Sequence, residues 1–188
     1  MLQCKMRHKN EPLKGGAMTY ETKKLTTFPA FLKISSRRIV IVGNGEEALA
    51  KCRLLGETDA HLVLVANEPS ADLRKLVETA GIEHVTAAFD AVMLDGAVLA
   101  FGATGDNQAD RNVVEAARAA GVLGNAVDQP DQCDFYTPAL VTRAPLAIAI
   151  GTEGASPVLA QSIRARIDQM LPPALGSVLR LAQSYRHA

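Results

Sequence analysis

The chain has 188 residues, 48% hydrophobic and 21% charged, with 20 Lys+Arg against 20 Asp+Glu. That is enough apolar material for one domain and a small appendage, and the balanced charge excludes partners captured by net charge, such as nucleic acid or an acidic membrane surface. Cys4, Cys52 and Cys133 lack disulfide-framework or metal-ligand spacing, which fits a reducing cytoplasm, and no run is long and apolar enough to span a membrane.

Met1 to Met18 carries Lys5, Arg7, His8, Lys9 and Lys14 with no apolar stretch behind them, so it does not read as a signal peptide. Residues 1–27 read as a disordered tail, with Met18 an alternative start. Order is expected from Phe28-Pro29-Ala30-Phe31-Leu32. Ile39-Val40-Ile41-Val42, β-branched and ending in glycine, suits a strand buried on both faces of a parallel sheet. Ala48 to Leu55 has helical composition, with Gly56 as its stop.

Leu62 to Val65 predicts a second buried strand. A helix capped by Ser70 follows, with Leu73, Leu76 and Val77 as its apolar stripe. Ile82 to Thr86 is a weaker strand, and Ala97 to Phe101 a fourth. Asn107 to Ala120 predicts a helix with Val113, Val114, Ala117 and Ala120 on one side. Val122 to Val127 is a fifth strand. Strands and helices alternating in this way imply βαβ units and a right-handed, mostly parallel Rossmann-like sheet over residues 28–132.

The pattern changes after Pro130. Phe135 to Val141 and Leu146 to Ile150 read as strands joined across Thr142 to Pro145, a small β segment over 133–157. Its apolar Phe135, Tyr136, Leu140, Leu146, Ile148 and Ile150 would be left exposed on a monomer, so a homodimer is expected. Pro157 to Met170 predicts a helix with proline early in its first turn, Pro172-Pro173 breaks it, and Leu175 to Tyr185 is a last helix. The segment 158–188 is therefore helical.

Gly43-Asn44-Gly45-Glu46-Glu47-Ala48 fits G-x-G-x-x-A between a strand and a helix. The first glycine permits the tight turn and the second lets the backbone approach a pyrophosphate. The small Ala48 allows close packing, and the helix aims its free N–H groups at the phosphates. Gly43, Asn44, Gly45, Glu46 and Glu47 are thus candidate dinucleotide contacts. Glu46 and Glu47 sit where phosphates approach, so their carboxylates should point away or meet ribose hydroxyls. Ala66 stands where an acidic residue is usual at the end of the second strand. Glu68, slightly late and followed by Pro69, can accept from a ribose hydroxyl and so favour NAD over NADP; it reads equally as a solvated loop carboxylate. Thr104-Gly105-Asp106, after the fourth strand, borders the expected nicotinamide position, although Asp106 also reads as a helix cap.

Several motifs in order carry a more specific signal: Phe28-Pro29, the glycine loop, Lys51-x-Arg53-Leu54-Leu55, Ala103-Thr104, Asn125-Ala126-Val127-Asp128, Phe135-Tyr136-x-Pro138-Ala139 and Gly154-Ala155-Ser156-Pro157. Over about Phe28 to Leu171 the chain resembles the precorrin-2 dehydrogenase/sirohydrochlorin ferrochelatase family, the N-terminal module of siroheme synthase. The resemblance implies oxidation of precorrin-2 to sirohydrochlorin with NAD⁺, and in many members insertion of Fe²⁺ as a second substrate. It implies cofactor contacts at Glu46-Glu47 and at Glu68-Pro69, a homodimer, and a key acid at Asp128. Family members usually have a longer helical end, so a shortened helical segment is expected.

Asp128 leaves an apolar strand at the carboxyl edge of the sheet, where open α/β sheets place ligands. A carboxylate there can accept the proton released with hydride loss, or the pyrrole protons displaced by a metal, and can attract Fe²⁺. Read without the resemblance, Asp128-Gln129-Pro130 is also a plain turn. Asn125 and Thr152 are candidate substrate neighbours, Asn125 alternatively steadying its loop. Arg143, Arg164 and Arg166 are candidate partners for the substrate's carboxylates, and equally ordinary surface arginines. The histidines have no metal-ligand spacing. Two other readings stay open: a non-catalytic NAD(H)-sensing regulatory module, and a structural dimerisation protein with a vestigial nucleotide site.

Overall fold

The structure is a computed structural model, which describes residues 24–185. Most of the expected tail, including Met18 and Cys4, lies outside the described residues, as does His187.

Five parallel strands form the main sheet in the order β3-β2-β1-β4-β5. They are β1 (Arg38–Val42), β2 (His61–Val65), β3 (Glu83–Val85), β4 (Ala97–Gly102) and β5 (Leu123–Ala126). Three helices cross between or beside them: α1 (Glu46–Leu55), α2 (Ala71–Ala80) and α3 (Asn107–Ala119). This is the doubly wound arrangement the alternating pattern predicts. β1 and β2 are apolar at nearly every position because both faces are covered, and each is fully buried past its first residue. One face packs Ile39, Ile41, Leu64 and Phe101 with α1 and α2 residues; the other packs Val40, Val42, Val63 and Ala100 with Val113 and Ala117 of α3.

Local signals set the ends. The Ser70 hydroxyl accepts from the Leu73 N–H and caps α2, and Gly81 closes that helix at φ 66°, the left-handed conformation a glycine tolerates. Asp106 accepts from the N–H groups of Gln108 and Ala109, so the capping reading of this residue is the observed one. Between β3 and β4 the connection is a single tight turn of helix (Ala91–Leu94) rather than a full α-helix.

Two details differ from expectation. Ala120 is the exposed C-terminal residue after α3, not part of its buried stripe. Phe135 is not in a strand and does not add to an exposed apolar face. Its ring meets Phe101 edge-on, with centroids 5.4 Å apart and planes at 87°, and it packs against the core of the main sheet. The chain beyond β5 therefore folds back before it departs.

β6 (Ala139–Arg143) and β7 (Leu146–Ile150) then form an antiparallel pair, followed by α4 (Pro157–Met170) and α5 (Leu175–Ser184). α4 packs on the hairpin through the buried Val141 and Ala160. Gly176 of α5 lies so close to the hairpin turn that a Cβ there would come within 2.5 Å of the Ala144 carbonyl. No helix among the described residues is long and apolar enough to cross a membrane.

Candidate functional site: the carboxyl edge of the sheet

The strand order reverses between β1 and β4, and the crevice at such a point is where open sheets bind ligands. The glycine loop leaves β1 there. Gly43 has φ 151°, and a Cβ on it would lie 1.9 Å from the Ala103 carbonyl oxygen, so the loop and the β4 exit touch through bare backbone. Gly45 behaves differently. Its φ is −108°, and a Cβ there would meet nothing within 4 Å. The fold does not need a glycine at Gly45, which leaves open space in front of the free N–H groups of α1. That space is what a close-lying pyrophosphate requires.

Gly43, Asn44, Ala66, Asn67, Phe89 and Thr104 line an open cleft across the ends of β1, β2 and β4. Asn44 accepts from the Ser70 N–H at 2.8 Å, which ties the glycine loop to the start of α2. Glu68 is exposed beside the cleft, whereas Pro69 is buried with its carbonyl accepting from Arg74. Asn67, not singled out from the sequence, occupies the wall; its signal was its place directly after Ala66 at the end of β2.

Thr104 is held by a buried carboxylate. Asp110 is 1% exposed and accepts from the Thr104 N–H at 2.9 Å and the Thr104 hydroxyl at 2.7 Å. Sequence reasoning missed Asp110, although its spacing places it on the buried face of α3 with Val113, Val114 and Ala117.

Glu46 is exposed, as expected for a side chain that avoids phosphate. Glu47 turns inward. Its Oε2 is buried without a hydrogen-bond partner among the described residues. Burial, then the charges of Asp110 and Asp128, raise its pKa above the ordinary carboxylate value, with partial opposition from the Gly105 backbone N–H and Lys51. Asp128 follows β5 at the same carboxyl edge of the sheet as the first turn of α1. It is exposed at the exit of β5 and has φ 58°, a left-handed conformation that Asp tolerates better than most residues. Such conformations gather at functional sites.

Lys51, one turn beyond Glu47, completes this group. Its ammonium lies 5.6 Å over the Phe101 ring and 3.3 Å from the Thr137 hydroxyl. Burial lowers its pKa, and Asp128, Cys133 and Glu47 partly restore it. The sequence showed Lys51 only as part of a motif; its spacing of four from Glu47 on one helix was the available signal.

The other expected substrate contacts are turned to structural work. The Arg143 Nη2 donates to the Asp168 and Leu171 carbonyls, each at 3.1 Å, and pairs with the Asp168 carboxylate at 2.9 Å. It satisfies the open carbonyls at the end of α4, where a cation is favoured, and so pins the hairpin to that helix rather than reaching for a ligand. Arg164 donates to Gln161 on its own helix, and Arg166 is exposed. Asn125 is buried, and its amide donates to the Phe135 carbonyl at 2.8 Å and to the Cys133 sulfur, so it holds the loop after β5. The Thr152 hydroxyl accepts from the Ser156 N–H inside the turn that enters α4. The next residue, Glu153, accepts from the backbone N–H groups of Thr26 and Thr27 and from the Thr27 hydroxyl, so the segment before β1 is tied to this turn. His61 pairs with Glu83, and the His84 ring meets the Ala66 carbonyl; both are structural.

The chain matches an NAD(P)-binding family model over residues 30–139 and a sirohaem biosynthesis protein central model over 143–170. It is 40% identical over 161 residues to siroheme synthase of Chromobacterium violaceum, covering 86% of this chain and 34% of that protein. To the siroheme synthase of Stutzerimonas stutzeri it is 41% identical over 158 residues, covering 84% and 34%. The chain thus spans about a third of the length of these curated relatives. A solved structure, SirC, precorrin-2 dehydrogenase, superposes with a TM-score of 0.74 at 20% identity over 85% of this chain and 79% of that one, which shows the shared fold. The chain belongs to the NAD(P)-binding family.

Proposed function

We propose that this chain oxidises precorrin-2 to sirohydrochlorin with NAD⁺, and that the same site presents Fe²⁺, as a substrate, to the product. The observation that carries this is that Asp128 follows β5 at the same carboxyl edge of the sheet as the glycine loop and the start of α1. When bound, NAD⁺ supplies the acceptor for a hydride. Every other part belongs to the chain. Gly43 holds the loop against the β4 exit, and Gly45 leaves the space through which a pyrophosphate would reach the first N–H groups of α1. Asp110 fixes Thr104 at the cleft wall. Asp128 takes the proton that leaves the macrocycle with the hydride, so one C–H pair of electrons goes to the cofactor and one proton to the carboxylate. In metal insertion the same group would accept one of the two displaced pyrrole protons, the other passing to solvent at this exposed edge.

Glu68, exposed beside the cleft, suits a ribose hydroxyl and would repel a 2′-phosphate, which supports NAD over NADP. The half-buried hairpin with exposed Tyr136, Val158 and Leu159 supports a homodimer paired through this region. The test is a purified chain given precorrin-2 and NAD⁺. One NADH should form per sirohydrochlorin, and sirohydrochlorin with Fe²⁺ should then be followed for siroheme. NAD⁺ binding without any NADH formation would replace this reading with a sensing module.

A further inference from the structure

Asp110 is 1% exposed, and no Lys, Arg or His pairs with it among the described residues. Its Oδ1 instead accepts from the Thr104 N–H at 2.9 Å and the Thr104 hydroxyl at 2.7 Å, two donors on one oxygen, which suits an ionised carboxylate. A buried charge without an opposite charge costs stability, so this acid calls for a reason beyond packing. Its place is fixed, because the Asp110 Cα rests 2.7 Å from where a Cβ on Gly102 would stand. It also stands directly behind the cleft. Thr104 lines the cleft with Gly43 and Asn44, and a Cβ on Gly43 would lie 3.1 Å from the Thr104 nitrogen. The carboxylate is thus one residue back from the cleft, beside the glycine loop.

The strand order β2-β1-β4 decides which part of a dinucleotide reaches this place. In such sheets the adenosine ribose meets the end of the second strand and the pyrophosphate meets the first helix, so the other nucleotide runs toward β4. The nicotinamide ring carries a positive charge in NAD⁺ and none in NADH. We propose that Asp110 is a selectivity residue for the cofactor's redox state: its buried charge at the β4 exit holds the cationic ring of NAD⁺ more tightly than the neutral ring of NADH. This rests on the dinucleotide reading of the cleft and not on the identity of the tetrapyrrole. The bias helps a site that oxidises its substrate to take up NAD⁺ and let NADH go. Repulsion between Asp110 and the pyrophosphate is common to both forms and cancels in their ratio, whereas the ring charge does not.

Calorimetry of the full chain with NAD⁺ and with NADH, in the absence of tetrapyrrole, tests this. The wild type should bind NAD⁺ the more tightly. Asp110→Asn, which keeps an acceptor for Thr104, should narrow the ratio of the two dissociation constants by about tenfold. Asp110→Ser, neutral and smaller, should narrow it by a similar factor. A role in packing alone would weaken both nucleotides equally and leave the ratio as it was, so an unchanged ratio in a folded variant overturns the proposal. If neither variant folds, the wild-type preference decides, and NADH bound as tightly as NAD⁺ overturns it. A wild type that binds neither nucleotide overturns the dinucleotide reading and this proposal with it, a result distinct from binding without preference.

Discussion

Two glycines two residues apart carry different burdens, and substitution separates them. Gly43→Ala drives a Cβ into the Ala103 carbonyl, backbone against backbone, so neither side can yield cheaply. A loss of at least ~3 kcal/mol is expected, read as a melting temperature lower by roughly 10 °C. Gly45→Val meets no protein atom nearby and should leave the melt within a few degrees while abolishing NAD⁺ binding in calorimetry. If both variants lost stability equally, Gly45 would be structural and the cofactor argument would lose its support. Glu47 offers a pH-dependent test. Its pKa in the fold is raised above the ordinary 4.5, so the charged form costs stability as pH rises through that range. Glu47→Gln should therefore raise the melting temperature at about pH 7.5, and the gain should shrink toward zero below the ordinary carboxylate value. A gain that grew on acidification would contradict it.

Residues differed in how far the sequence exposed them. Gly43, Gly45 and Asp128 belong to short motifs whose chemistry is local, and they stand where the motifs place them. For Arg143 the sequence offered a substrate cation beside the plainer reading of a surface arginine, and it cannot show that the last carbonyls of α4 lie beside it. Lys51 contacts Phe101 and Thr137, distant in the chain, and Asp110 reaches back across the turn before α3 to Thr104, so these contacts emerged only with the fold.

At the scale of elements, periodicity and caps were enough for β1, β2, α2, α3 and α4, because each buries a regular apolar pattern and carries its own end signals. The segment after β5 was harder. Phe135 has the composition of a strand residue, but the open space beside Phe101 claims it first, and pairing starts only at Ala139. Close approach between elements also depends on residues that look unremarkable in sequence. A Cβ on Gly102 would lie 2.7 Å from the Asp110 Cα, so α3 rests directly on β4 there. Gly102→Ala should push α3 outward and cost ~1–3 kcal/mol, or about 2–12 °C in the melt. It should also loosen Thr104 and weaken NAD⁺ binding, since Asp110 rides on the same turn. A variant with native melt and affinity would show that the helix has slack.

For the whole molecule, the arrangement puts a nucleotide cleft and a carboxylate on one edge of the sheet, and an incompletely covered hairpin with its helices beyond it. Light scattering at micromolar concentration should give a dimer mass, and a charge introduced at Ala149, on the exposed hairpin face away from buried Val141, should shift it toward monomer. A monomer in the wild type would remove the dimer from the proposal while leaving the nucleotide site as described. The chain's match to about a third of its siroheme synthase relatives makes one question central: whether this portion carries its own chemistry.

Asp128→Asn answers it, because asparagine accepts the left-handed backbone at this position and preserves shape while removing the base. With precorrin-2 and NAD⁺, the variant should lose activity by a factor of about a hundred or more while binding NAD⁺ as the wild type does. Wild-type turnover in Asp128→Asn would show that the proton leaves by another route and that the β5 carboxylate is not the catalytic group.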